Sequence, residues 1–196
     1  MADIKSALEI AMEKVAKLGT PSEEERLKWK HVPAGEQLAA RYLKEDYNLI
    51  AELSQYQPDV KKYIVTGAAG ILIRNIDIPK HDAARKNNKR AMDGLKILKS
   101  DKVGVENVYS RIRQLFKHYA EQGEQQRRQA YQSLKTEMEG KMQQAMQQQM
   151  DILPGTRIDV EKQPQFQQEW RKVQAQFDSQ YLTLLGEYKR ELSGIA

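Results

Sequence analysis

The chain has 196 residues and no cysteine. That absence removes disulfides, thiolate nucleophiles, Cys-ligated zinc and iron–sulfur clusters together. Glycine and proline are sparse, at 11 and 6, and no series of alternating apolar and polar runs is punctuated by hairpin dipeptides. An all-helical chain is the economical reading. Aromatic residues make up only 7%, so the core is lean. Long apolar runs are also missing: the strongest, 63–73, would rise about 16 Å as a helix, roughly half of a bilayer core. No membrane span is expected. Met1-Ala2-Asp3-Ile4-Lys5 lacks the basic-then-apolar order of a secretory signal, and a cytoplasmic location is the expectation.

What is present is helical periodicity with clear punctuation. Ile4, Leu8, Ala11, Val15 and Leu18 follow 4-3-4-3 spacing, and Gly19 stands where a helix would stop. Thr20-Pro21-Ser22-Glu23 reads as a capping box with Thr20 as N-cap, opening a short charged helix to about Lys30. Pro33 and Gly35 are expected to break the chain. An amphipathic helix follows, with Leu38, Tyr42, Leu49, Leu53 and Tyr56 beside a second row of Ala39, Leu43, Tyr47 and Ile50. Pro58 and Pro79 bracket the most apolar segment, and a basic helix over 81–98 turns Ala84, Ala91, Leu95 and Leu98 inward.

The run 105–153 is interrupted only by Gly123 and Gly140. As one straight helix it would measure about 73 Å, so either it bends or the molecule is elongated. Within it, 121–129 contains no apolar side chain, which marks a kink near Gly123 or a frayed stretch. After Pro154-Gly155 and Pro164, a last helix carries Phe166, Trp170, Val173, Phe177, Tyr181, Leu184 and Tyr188 on one stripe. Two long helices joined by about ten residues lie antiparallel. The expected fold is all-α and elongated: an N-terminal bundle of short helices over 1–100, then a long antiparallel helical hairpin over 101–196. Composition shifts with it, since 18 of the 21 glutamines lie within 114–180.

Chemistry-bearing motifs are few. Tyr63-Ile64-Val65-Thr66-Gly67-Ala68-Ala69-Gly70-Ile71-Leu72 resembles the opening strand and glycine turn of a short-chain dehydrogenase, and Tyr131 with Lys135 echoes that family's catalytic pair. The resemblance implies a dinucleotide site. Against it, Leu72 and Ile73 stand where the third glycine is required and no βαβ alternation follows. The competing reading is a buried helix whose small residues let a neighbour approach closely. His31, His81 and His118 are far apart and none follows a carboxylate at i−3, which excludes a ferritin-like di-iron site. No nucleophile elbow or P-loop is present. No catalytic residue, metal ligand or cofactor is assigned, and a non-enzymatic protein is expected.

Two surfaces remain. Residues 74–117 hold 12 Lys and Arg against 5 acids, a net of +7 in a chain whose total is +5. The excess positive charge is therefore local and centres on Arg85, Lys86, Lys89 and Arg90, candidates for contacting an anion or nucleic acid. The second surface is a strict i+4 ladder of Leu134, Met138, Met142, Met146 and Met150. Each step overshoots a turn by about 40°, so the ladder winds by roughly 160°. With Phe166, Trp170 and Phe177 it forms the candidate hairpin or oligomer interface. The leading expectation is a helical scaffold or protein-interaction protein that forms homo-oligomers through this hairpin. A nucleic-acid-associated protein is the alternative, and a small-ligand-binding or enzymatic helical protein with a pocket near Gly67–Gly70 is the third reading.

Overall fold

The computed structural model describes residues 6, 21–45, 47–148 and 159–196, and all regular structure among them is helical. The helices are α1 (Glu23–Lys44), α2 (Leu49–Ser54), α3 (Pro58–Arg74), α4 (Asp82–Leu98), α5 (Lys102–Ala120), α6 (Gln122–Gln148) and α7 (Pro164–Gly194), with a 3-10 turn at Val160–Lys162. The chain forms two units, 1–71 and 72–196. No helix among the described residues is long and apolar enough to cross a membrane. The stripe from Ile4 to Leu18, the Thr20 cap, Met150 and the Pro154-Gly155 turn lie outside the described residues.

In the first unit, α1 starts from Ser22 and not from Thr20. The Ser22 hydroxyl accepts from the Glu25 amide at 3.2 Å and the Glu25 carboxylate accepts from the Ser22 amide at 2.8 Å. Ser22-x-x-Glu25 satisfies the same spacing rule two residues later, and spacing alone does not separate the two registers. The expected break at Pro33 and Gly35 does not occur, because α1 runs through both. Proline removes one amide and costs a helix about 3 kcal/mol, but tertiary packing outweighs it here. A Cβ on Gly35 would lie 2.0 Å from the Ile64 carbonyl oxygen, and one on Gly67 would lie 2.1 Å from that of Val32. Thus α1 and α3 meet backbone to backbone on either side of Pro33.

The glycine-rich motif is accordingly helical, with Ile64 and Ala68 fully buried. The chain breaks instead after Lys44. Asn48 then accepts from the Ile50 and Ala51 amides at 3.1 Å each and starts α2. This new start buries Leu49 and Leu53 but leaves Ile50, expected on an inner row, 62% exposed.

The second unit is organised by α7, which runs antiparallel to α5 and then to α6. Along α5, Arg111 pairs with Glu191, and the Tyr119 hydroxyl donates to Asp178 at 3.0 Å. Along α6, the Tyr131 ring meets Phe166 and Trp170 edge-on at 5.2 and 5.0 Å, and Lys135 binds Glu161 at 2.6 Å. At 31 residues α7 is about 46 Å long and backs both partners. The hairpin is therefore antiparallel and its long arm is bent. The bend falls at Glu121, which ends α5 where the stretch without apolar side chains begins, and Gly123 lies beneath the Tyr181 hydroxyl.

The α7 stripe follows expectation through Tyr181 and then shifts: Leu185 and Leu192 are buried, whereas Leu184 is 37% exposed. The seam moves because α7 changes partner from α6 to α5 at the bend.

Between α3 and α4 the chain is held by Asn88, which is 3% exposed. Its side chain accepts from the Asp77 amide at 2.8 Å and donates to the Asp77 carbonyl at 2.5 Å. The neighbouring Asn87 donates to the Asn75 carbonyl at 3.1 Å. These clips set the path of the chain into Pro79 and Lys80.

Candidate functional site: a cationic groove on α4 and α5

α4 begins at His81, whose Nδ1 accepts from the Ala84 amide at 3.1 Å, and α5 begins at Asp101, which accepts from the Gly104 amide at 2.8 Å. The two helices run antiparallel and leave a groove of about 600 Å3 between them, lined at one end by Pro79. α4 contributes Arg85, Lys89, Met92, Asp93 and Lys96, which recur at helical spacing on one face. α5 contributes Glu106, Tyr109, Arg113, Phe116, Lys117 and Ala120 in the same way. Met92, Tyr109 and Phe116 make the floor apolar. The Tyr109 hydroxyl turns inward and donates to the Met92 carbonyl at 2.7 Å, and burial pushes its pKa well above the usual tyrosine range.

Charge is unevenly distributed along the groove. At one end Glu106 binds Lys96 at 3.0 Å and also Arg113, and those hydrogen bonds, Arg113 first, hold its carboxyl below the ordinary value. At the other end Arg85 pairs among the described residues with an exposed partner, Asp82 at 3.2 Å. Lys89 and Lys117 make no ion pair among the described residues. Asp93 is the other acid on the wall.

A second hollow of about 630 Å3 shares Pro79, Arg85 and Ala120 with the first. It is lined further by Lys80, Arg127, Arg171 and Asp178. Lys80 binds Asp178 at 2.6 Å. The Arg127 guanidinium lies 4.2 Å from the centre of the Tyr119 ring, and its Nη2 donates to the Tyr119 carbonyl at 3.3 Å. Its Nη1 is buried without a hydrogen-bond partner, and Arg171 makes no ion pair among the described residues.

The Tyr119 hydroxyl is pushed up to about 12 by burial and by its bond to Asp178. The neutral phenol is thus favoured in the folded state, so this contribution to stability is intact below pH 10 and is lost as pH rises through about 12. The urea midpoint should fall over that interval, and Tyr119→Phe should flatten the fall. An equally steep fall in the variant would exclude Tyr119 as a source.

Of the four basic residues singled out from the sequence, the structure brings Arg85 and Lys89 into the groove. Lys86 is exposed and Arg90 half-buried, and neither lines the groove. Lys96, Arg113, Lys117, Lys80, Arg127 and Arg171 were missed. The basic α4 members fall at i+4 and i+11 from Arg85, but those on other elements are recognisable only once the helices are paired.

In the hairpin, Leu134, Met138, Met142 and Met146 are half-buried, as are Trp170 and Phe177, while Phe166 is 2% exposed. His118 Nδ1 lies 2.9 Å from the Tyr181 hydroxyl. Among the described residues no group of three or more His, Asp and Glu is arranged to hold a metal ion. Tyr131 and Lys135 are engaged by Phe166, Trp170 and Glu161 as packing and ion-pair partners.

No curated protein and no solved structure matches the chain. A family model does match residues 50–194, a stretch that includes both hollows and the hairpin, and the chain belongs to that family, the family of unknown function DUF6657.

Proposed function

We propose that the protein is a non-enzymatic helical scaffold that associates with copies of itself through its C-terminal hairpin. The observation that supports this reading is the exposure of the α6 ladder. Leu134, Met138, Met142 and Met146 cover about 18 Å of helix and all four remain half-buried. α6 and α7 each carry an apolar stripe, and a two-helix layer has only one inner seam. A second hairpin laid against the first supplies the missing layer, as in helical bundles. The winding of the ladder makes successive methionines face different neighbours, and methionine adapts its shape to such irregular contacts.

Nucleic-acid association through Arg85, Lys86, Lys89 and Arg90 draws less support, because Arg85 and Lys89 lie in the groove while Lys86 and Arg90 lie off it. For the scaffold reading the test is mass in solution. Light scattering at micromolar concentration should return at least twice the 22.7 kDa of the single chain. Met138→Glu with Met142→Glu should return the single-chain mass, because two carboxylates cannot be desolvated in an apolar interface. A single-chain mass for the unaltered protein rejects self-association, and an unchanged oligomer in the double variant rejects this interface.

A further inference from the structure

We propose that the α4–α5 groove, with the hollow that adjoins it, binds an amphipathic organic anion: one anionic head group on an apolar body. Three features of the two hollows carry this.

The first is size. At about 600 Å3 the groove lies within the roughly 300–1,000 Å3 that small-molecule sites occupy. A nucleic-acid duplex does not enter such a space, and the groove offers no exposed aromatic face on which single-stranded bases would stack: Tyr109 is 2% exposed and Phe116 half-buried.

The second is the polarity of the floor. Met92, Tyr109 and Phe116 present carbon to the groove, and the one polar group among them, the Tyr109 hydroxyl, is already bonded to the Met92 carbonyl. An apolar body laid there displaces water without stranding a donor or acceptor.

The third is the gradient of charge. Toward Glu106 the cations Lys96 and Arg113 share a carboxylate. Toward Pro79 the groove holds Arg85, Lys89 and Lys117 and adjoins, through Pro79, Arg85 and Ala120, the hollow lined by Arg127 and Arg171; of these Lys89, Lys117 and Arg171 have no acidic partner among the described residues. An anionic oxygen at the Pro79 end would sit among these cations, with the tail lying along Phe116 and Met92 toward Glu106. Asp93, which with Glu106 makes up the acids on the wall, lies past Lys89 on the tail side and disfavours a second negative charge on the body.

Calorimetric titration with decyl phosphate below its micelle threshold, at about 50 mM salt, tests the assignment. One decyl phosphate should bind per chain, with inorganic phosphate at least a hundredfold weaker because it leaves the floor empty. Decyltrimethylammonium, with the same tail and the opposite charge, should not bind measurably. Lys89→Glu with Lys117→Glu should weaken decyl phosphate at least tenfold. The neutral pair Lys89→Gln and Lys117→Gln should weaken it by less, and Lys86→Glu, on the same helix but off the groove, should leave it unchanged. Because Lys89 and Lys117 are exposed and hold no ion pair among the described residues, these variants should melt like the parent. Equal binding of the cationic analogue, equal binding of inorganic phosphate, or unchanged affinity in both Lys89 and Lys117 pairs would overturn the proposal. So would a 20-nucleotide single strand that binds more tightly and is not displaced by decyl phosphate.

Discussion

Gly67→Ala should destabilise the first unit by more than about 4 kcal/mol, enough to unfold it, although it adds only one methyl group. The new Cβ would sit 2.1 Å from the Val32 carbonyl oxygen and 2.9 Å from its carbon. Both are backbone atoms within α1, so no rotamer change relieves the clash and the two helices must separate. Gly35→Ala should do the same from the other side, with a Cβ 2.0 Å from the Ile64 carbonyl oxygen. Gly70 is the internal control, three residues along the same helix, where an added Cβ meets nothing within 4 Å. There alanine is the better helix former by roughly 1 kcal/mol, and Gly70→Ala should leave stability unchanged or raised. Urea denaturation followed by circular dichroism separates the cases. If Gly67→Ala and Gly70→Ala have the same midpoint, the backbone contact between α1 and α3 is not what holds this unit together.

Phe166→Ala should cost about 3–5 kcal/mol, the range for emptying a buried aromatic site. Phe166 is 2% exposed and lies in the first turn of α7, where its ring meets Tyr131 edge-on. The loss combines the transfer energy of the ring, the cavity left behind, and an aromatic pair contributing about 0.5–1.5 kcal/mol. Among the described residues, this part of the hairpin draws on α6, α7 and the 3-10 turn. Damage should therefore stay local: amides near 124–135 and 164–175 should exchange faster with solvent while those of α4 stay protected. Phe166→Leu, which refills most of the volume, should recover more than half of the loss. Exchange that accelerates equally in α4 would show that the hairpin does not open separately.

The α7 stripe and the contact between α1 and α3 differ in how openly the amino-acid order states them. The α7 stripe is regular because one helix packs along nearly its whole length, so a repeat of three and four residues is visible directly. Its single lapse, Leu184 in place of Leu185, occurs where α7 passes from α6 to α5, and an isolated repeat carries no record of a change of partner. Pro33 failed as a stop signal for a related reason. Proline's cost is local and about 3 kcal/mol, while the close approach at Gly35 and Gly67 involves residues about thirty positions apart. The basic cluster at 85–90 pointed to the right helix but mixed two rows: Arg85 and Lys89 line the groove, and Lys86 and Arg90 do not.

By itself, the sequence determined the helical class, the absence of cysteine, the concentration of positive charge in 74–117, and the antiparallel hairpin. All of these follow from composition or from local periodicity, which the backbone enforces over a few turns. Only the tertiary structure decided that Gly67 is a contact point between helices, that the long arm bends at Glu121, and that Arg85, Lys89, Arg113 and Lys117 gather around a floor of Met92 and Phe116. Those facts depend on which helix faces which and at what angle. That choice is settled by packing between distant residues, and no repeat within a single helix encodes it.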